Sequence, residues 1–280
     1  MESKQNNYKE ILIENWMKKE KRGRVLSKRG QVAIYVMVAL VIIAGVIVIY
    51  FLYPDVVTGI IGGKETPQTF LKSEIEPSVK DSIEVLSKQG GYENPEGYIM
   101  YKGNRVKYLC YTSKYYEQCQ VQQPMIWAKF EDELKNMIQL DVETAVDELI
   151  RTYEKRGYSV SSAANPTTNV EISSGKINVR IKAPMTFSKE TTETFDEFNI
   201  EIKSKMYDLL MIATSIIDFE STYGDSETSL YIQYYPDLRI RKIKLGDGST
   251  VYTVEDVITK ESFMFASRSL VWPAGYGIYG

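Results

Sequence analysis

The chain has 280 residues, 44% hydrophobic and 25% charged, an ordinary globular composition with enough length for a sizeable core. Its charge is divided: residues 1–30 hold nine Lys and Arg against four Glu, whereas the chain beyond Tyr53 holds 25 against 33. Such an acidic surface repels phosphate and argues against nucleic acid as a partner. Histidine is absent, which removes the commonest general base and zinc ligand, and the residues present suggest no catalytic, cofactor-binding or metal-binding set.

In the basic segment 1–30, Tyr8, Ile11, Leu12 and Trp16 recur at helical spacing opposite Lys9, Lys18 and Lys19. That pattern suits a helix lying on an anionic inner leaflet and equally a solvated tail. The run Val32 to Tyr53 then carries 22 residues without a charge. As a helix it would rise about 33 Å, against roughly 30 Å of hydrocarbon, so 31–54 is expected to span a bilayer. Lys28 and Arg29 precede it, Tyr50 and Tyr53 stand at its far end, and Pro54 closes it. The positive-inside rule places the N-terminus in the cytoplasm and the rest outside the plasma membrane.

The junction Lys28-Arg29-Gly30-Gln31, followed at once by the apolar run, resembles the class III signal of archaeal type IV pilins and archaellins. The resemblance implies cleavage between Gly30 and Gln31 by a membrane peptidase, with the apolar helix retained and used for subunit assembly. The pattern departs from the family at Tyr35, where bacterial-type pilins often carry Glu, and at Pro54, Gly59, Gly62 and Gly63, which break the helix directly after the membrane. The remainder is similar to single-pass membrane proteins of small-genome archaea through YLCYTSKYYEQC and FMFAS, a likeness that carries no activity.

Residues 55–69 read as a linker, and 70–280 as an extracytoplasmic α+β domain in which a helix-rich segment packs on an antiparallel sheet. A helix is expected from Pro77 to Lys88, with Val79, Ile83 and Leu86 on one face and Gly90-Gly91 as its stop. Tyr98 to Tyr101 and Arg105 to Tyr111 flank Gly103-Asn104 as a hairpin. Pro124 opens a second helix carrying Trp127, Phe130, Leu134, Met137 and Ile138. Asp141 reads as the cap of a third, with Val142, Ala145, Val146, Leu149, Ile150 and Tyr153 on one stripe up to Gly157.

From Thr168 the period changes to two, through Val170 and Ile172, then Ile177, Val179 and Ile181, then Phe198, Ile200 and Ile202, an antiparallel meander with one wet face. Met206, Leu209, Leu210, Ala213, Ile216 and Ile217 restore the helical period. Leu230, Ile232 and Tyr234 alternate again before Pro236, Arg239 to Lys244 reads as a strand, and Val251 to Ile258 and Ser262 to Ser267 follow the Gly246-Asp247-Gly248 turn.

Cys110 and Cys119 are the only cysteines. Outside the cell they are expected to pair, closing a loop of about ten residues worth about 2 to 3 kcal/mol. Seven tyrosines fall between Tyr92 and Tyr116. Tyrosine joins a flat apolar face to a polar tip, so Tyr98, Tyr101, Tyr108, Tyr111, Tyr115 and Tyr116 form a candidate surface for envelope proteins or glycans, although tyrosine also favours strands. Glu131, Glu143 and Asp147 are the carboxylates that an envelope hydrolase would need to bring together, against a reading as the charged faces of helices. Ser173 to Lys176 matches S-x-x-K, but in a hairpin turn and not on the helix that the chemistry requires. Gly275, Gly277 and Gly280 match G-x-G-x-x-G without the strand and helix that give that pattern meaning. The expected role is therefore a non-enzymatic surface protein, with a pilin-like subunit and a carboxylate hydrolase as alternatives.

Overall fold

A computed structural model of the full chain describes residues 35–45 and 66–273. The chain divides into residues 1–65 and 66–280. In the first unit the described residues 35–45 form helix α1, with its side chains exposed. The ends of the expected Val32 to Tyr53 span, the Gly30-Gln31 junction, the basic segment and residues 55–65 of the expected linker lie outside the described residues. Among the described residues no helix is long and apolar enough to cross a membrane.

The second unit is α+β. Helix α2, Pro67–Lys88, starts ten residues before the expected position. Thr66 and Thr69 cap it reciprocally, with Thr66 N donating to Thr69 Oγ1 at 2.9 Å and Thr69 N to Thr66 Oγ1 at 3.2 Å, and Pro67 takes the first turn, where its missing N–H costs nothing. Pro77 is therefore internal, and 66–69 belong to the domain and not to a linker. The helix stops at Gly90 and Gly91, with φ of +70° and +86°, and Gly91 N donates to the Leu86 carbonyl at 2.8 Å.

The second and third expected helices are one. Helix α3 runs Ile126–Lys155, 30 residues or about 45 Å. Phe130, Leu134, Ile138, Val142, Val146, Leu149 and Tyr153 make a single buried stripe whose phase does not break at Asp141. Asp141 caps nothing and instead accepts a short hydrogen bond from Ser78 Oγ of α2. Helix α4 is Met206–Tyr223, and α5 is the six-residue Ser229–Tyr234. A strand was expected at α5, but none of its side chains is buried, so the alternation of Leu230, Ile232 and Tyr234 recorded no sheet face.

Two sheets cover these helices. One contains β1 (Tyr98–Tyr101), β2 (Asn104–Tyr111), β3 (Gln120–Val121), β8 (Leu238–Lys244), β9 (Thr250–Asp256) and β10 (Ser262–Arg268), in the order β1-β2-β10-β9-β8, with β3 also on β2. It is mixed: β10 runs parallel to β2, and the other pairs are antiparallel. The other sheet is antiparallel as expected. The long strand β6 (Lys176–Ser188) has β7 (Thr192–Lys203) on one side and β4 (Ser159–Ser162) and β5 (Thr167–Ser173) on the other. Phe263, Phe265, Tyr252 and Val254 of the mixed sheet and Ile177, Val179, Ile181, Phe198 and Ile200 of the antiparallel sheet meet the helical stripes in one buried core.

Candidate functional site

Strand pairing settles where the tyrosines go. Partners across a pair share a face, so Ile99 and Tyr101 of β1 stand with Val106 and Asn104 of β2, Tyr108 with Ala266 of β10, and Ala266 with Val251 of β9. All of these point away from the helices. Between Ala266 and Ser267 the register slips, because Ser267 pairs with Cys110 and leaves Leu109 as the extra residue of a β-bulge. The bulge lets Leu109 and Cys110 both enter the core, and it puts Tyr111 on the same outer face as Tyr108, with ring centroids 5.1 Å apart at an edge-to-face 62°.

The centre of the mixed sheet's outer face is consequently apolar and aromatic, with charged residues towards the β8 edge. Val106, Ala266 and Val251 are almost fully buried on it, beneath Ile99, Tyr101, Tyr108, Leu245 and Met264, all residues of the sheet's own strands and turn. The Tyr108 hydroxyl is 2.7 Å from Ser249 Oγ, which donates to Asp247 Oδ2 at 2.9 Å. Burial pushes the Tyr108 phenol up. At one end the Arg268 guanidinium lies 5.8 Å from the Tyr115 ring and also donates to the Thr112 and Asp247 carbonyls. At the β8 edge Arg239 and Arg241 both pair with Glu255, at 3.6 and 3.3 Å, while more than half of each arginine side chain remains exposed.

Four of the six candidate tyrosines thus fall on or beside one surface: Tyr101, Tyr108, Tyr111 and Tyr115. Tyr98 pairs across from Lys107 on the opposite face of the hairpin, with Arg105 5.6 Å from its ring. Tyr116 turns to Trp272, ring centroids 5.0 Å apart. Sequence reasoning missed Ile99, Met264 and Leu245. No local signal in the sequence marks them; the structure shows the second buried face at β9, where Thr250 to Val254 are buried without a break although a strand with one wet face should alternate.

Compared with family models, with curated proteins and with solved structures, the chain matches none.

The Cys110–Cys119 disulfide is present, with Cα atoms 5.3 Å apart. It borders a buried polar cluster that the sequence did not reveal. Glu220 of α4 is 2% exposed. Its Oε1 accepts from the Tyr252 hydroxyl at 2.5 Å and Ser226 N at 2.9 Å, and its Oε2 from Ser267 Oγ at 2.9 Å. Its carbonyl accepts from Ser269 Oγ, which in turn accepts from Cys119 N at 3.0 Å. Burial drives the Tyr252 phenol far above its ordinary value, which keeps it a donor to the carboxylate. The cluster joins α4, β9, β10 and the disulfide loop.

The expected hydrolase carboxylates are dispersed. Glu131 Oε1 accepts from Ile172 N at 2.7 Å, and burial raises its carboxyl above the usual range. Glu143 accepts from Gln139 at 2.8 Å and is exposed, as is Asp147. Ser173 and Lys176 are paired across the β5–β6 turn, as expected. Residues 274–280, with the Gly275 pattern, lie outside the described residues. Among the described residues no group of three or more His, Cys, Asp and Glu is placed to hold a metal ion.

Proposed function

We propose that this chain is a non-enzymatic surface protein, held in the plasma membrane by the Val32 to Tyr53 segment, whose α+β domain binds another protein of the cell envelope through the outer face of the mixed sheet. The observation that carries the reading is burial on that face: among the described residues, Val106, Ala266 and Val251 lie under a layer of tyrosine, methionine, leucine and isoleucine to which no helix contributes. A wet sheet face has no need of such a layer, and aromatic surfaces with an apolar floor are typical of protein contacts.

Charge favours a particular kind of partner. The domain is acidic, yet this face carries Arg239, Arg241 and Arg268 against Glu255 and Asp247, with the Arg239 and Arg241 side chains more than half exposed. A partner with an apolar centre and carboxylates at its rim fits. The disulfide supports placement outside the cell, since such bonds persist in oxidising compartments. Processing after Gly30, which the signal-like junction implies, would leave both the anchor and this surface intact.

A photo-crosslinking residue placed at Tyr111 and, separately, at Asn199 of the antiparallel sheet tests the reading in the native membrane. Tyr111 is expected to give a protein adduct of defined mass and Asn199 none. Equal labelling from both positions, or none from Tyr111, overturns the proposed surface. Protease treatment of intact cells separately checks the topology, with residues beyond 66 expected to be cut.

A further inference from the structure

A cavity of about 450 Å³ opens at a different place, between the first turns of α4 and the segment that leads into β8. Its walls are apolar and aromatic: Tyr207, Met211 and Ile212 from α4, and Tyr235, Pro236 and Leu238 opposite. Tyr235 is 56% and Met211 39% exposed, so the cavity is open to solvent. Cavities of this size and lining take small organic molecules.

The charges at its rim determine which. Asp208, Asp237 and Asp256 line it, with Lys205 as the one cation among the described residues that line it. Lys205 lies 3.4 Å from Asp208, which also accepts from Ser174 Oγ at 3.1 Å. Asp256 holds its own turn by accepting from Ile258 N at 3.0 Å and Thr259 N at 2.8 Å. The Asp237 side chain is exposed and has no hydrogen-bond or ion-pair partner among the described residues.

The N-terminus of α4 also faces this region, and a helix N-terminus by itself favours an anion. Here it is already occupied. Glu261 Oε2 accepts from Lys205 N at 2.9 Å and from Ser204 Oγ at 2.5 Å, and Ser204 Oγ in turn accepts from Met206 N at 3.1 Å. An anion in the cavity would meet the three aspartates. An ammonium would meet a free carboxylate beside aromatic and thioether walls, the surroundings that stabilise organic cations.

We infer that this cavity binds a small primary amine with an apolar body, its ammonium at Asp237 and its hydrocarbon between Tyr207, Met211 and Tyr235. The site shares no residue with the tyrosine face and does not depend on the proposed envelope partner.

The full-length chain in lipid nanodiscs, with ¹³C-methyl methionine, provides the test. The Met211 methyl signal, assigned through Met211→Leu, is followed while phenethylammonium, neutral phenethyl alcohol or anionic 3-phenylpropionate is added. Phenethylammonium is expected to move that signal saturably and to bind at least tenfold more tightly than 3-phenylpropionate. Asp237→Asn should weaken it at least fivefold without altering the methionine signals of the free protein. Equal or tighter binding of the anion, an unchanged affinity in Asp237→Asn, or no saturable shift with any of the three overturns the inference. Nα-acetyl-lysine methylamide binding more tightly than phenethylammonium would instead assign the site to a lysine side chain of a protein and also overturn it.

Discussion

On the antiparallel sheet the residues that face away from the helices are Lys176, Arg180, Lys182, Glu197, Asn199 and Glu201, with Lys176 and Glu201 paired at 2.8 Å and Thr186 against Thr194 at 3.3 Å. At the corresponding places of the mixed sheet stand Tyr101, Val106, Tyr108, Met264, Ala266 and Val251. The inner faces do not differ in this way: Phe263, Phe265 and Val254 of one and Ile177, Val179, Ile181 and Phe198 of the other enter the same core, with the Glu220 cluster as a polar patch beside the mixed sheet. Burial against the helices accounts for the inner residues of each sheet. It does not account for an apolar outer face on only one of them, and that difference locates the surface proposed for binding.

The largest effects are expected in the shared core. Phe263 and Phe198 are fully buried, one in each sheet, and Phe263→Ala and Phe198→Ala should each cost about 3 to 5 kcal/mol in urea unfolding. A large loss from only one of the two would mean that the sheets do not share a cooperative core. Reduction of the Cys110–Cys119 bond should cost about 2 to 3 kcal/mol, measured as the difference between oxidised and reduced protein, because it closes a short loop only on the mixed sheet.

Glu220→Gln should cost about 1 to 3 kcal/mol, since an amide cannot accept from Tyr252, Ser226 and Ser267 as a carboxylate does. If calorimetry finds this variant as stable as the parent, the buried cluster is not what ties α4 to β9 and β10. On the outer faces the order of effects reverses. Tyr101→Ala with Tyr108→Ala should reduce crosslinking from position 111 at least tenfold, whereas Lys182→Ala with Glu197→Ala on the antiparallel sheet should leave it unchanged.

The smallest effect concerns acid. Burial alone would raise the Asp225 carboxyl, but hydrogen bonds from Lys242 at 2.5 Å and Lys244 at 2.9 Å outweigh it and hold the carboxyl below its ordinary value. A depressed folded-state pKa stabilises the fold above the unfolded value of about 3.9, and this is lost as pH falls through the folded one. Asp225→Asn should therefore flatten the decline in stability below about pH 4. The side chain is half exposed, so solvent screening keeps the change small.

Much of this architecture was legible along the chain. The stripes Val79-Ile83-Leu86 and Leu209-Leu210-Ala213-Ile216, the alternation from Val170 to Ile202 and the turn at Gly246 to Gly248 all appear where local spacing indicates. Where reading failed, two local signals competed. Pro77 resembles a helix start until the Thr66 and Thr69 cap is seen, and Asp141 resembles a cap although the buried stripe passes through it in phase.

By itself the sequence determined the type of most elements, the cysteine pair and the charge contrast between residues 1–30 and the rest, because each depends on neighbours within a few residues. Only the tertiary structure decided that β10 enters between β2 and β9, parallel to β2, and that a bulge at Leu109 turns Tyr108 and Tyr111 to one side. It alone also surrounded the Glu220 carboxylate with donors from Tyr252 and Ser267. The physical reason is range: periodicity records which side of an element is buried, whereas the strand it pairs with, and hence the residues that share its face, depends on partners more than a hundred positions away.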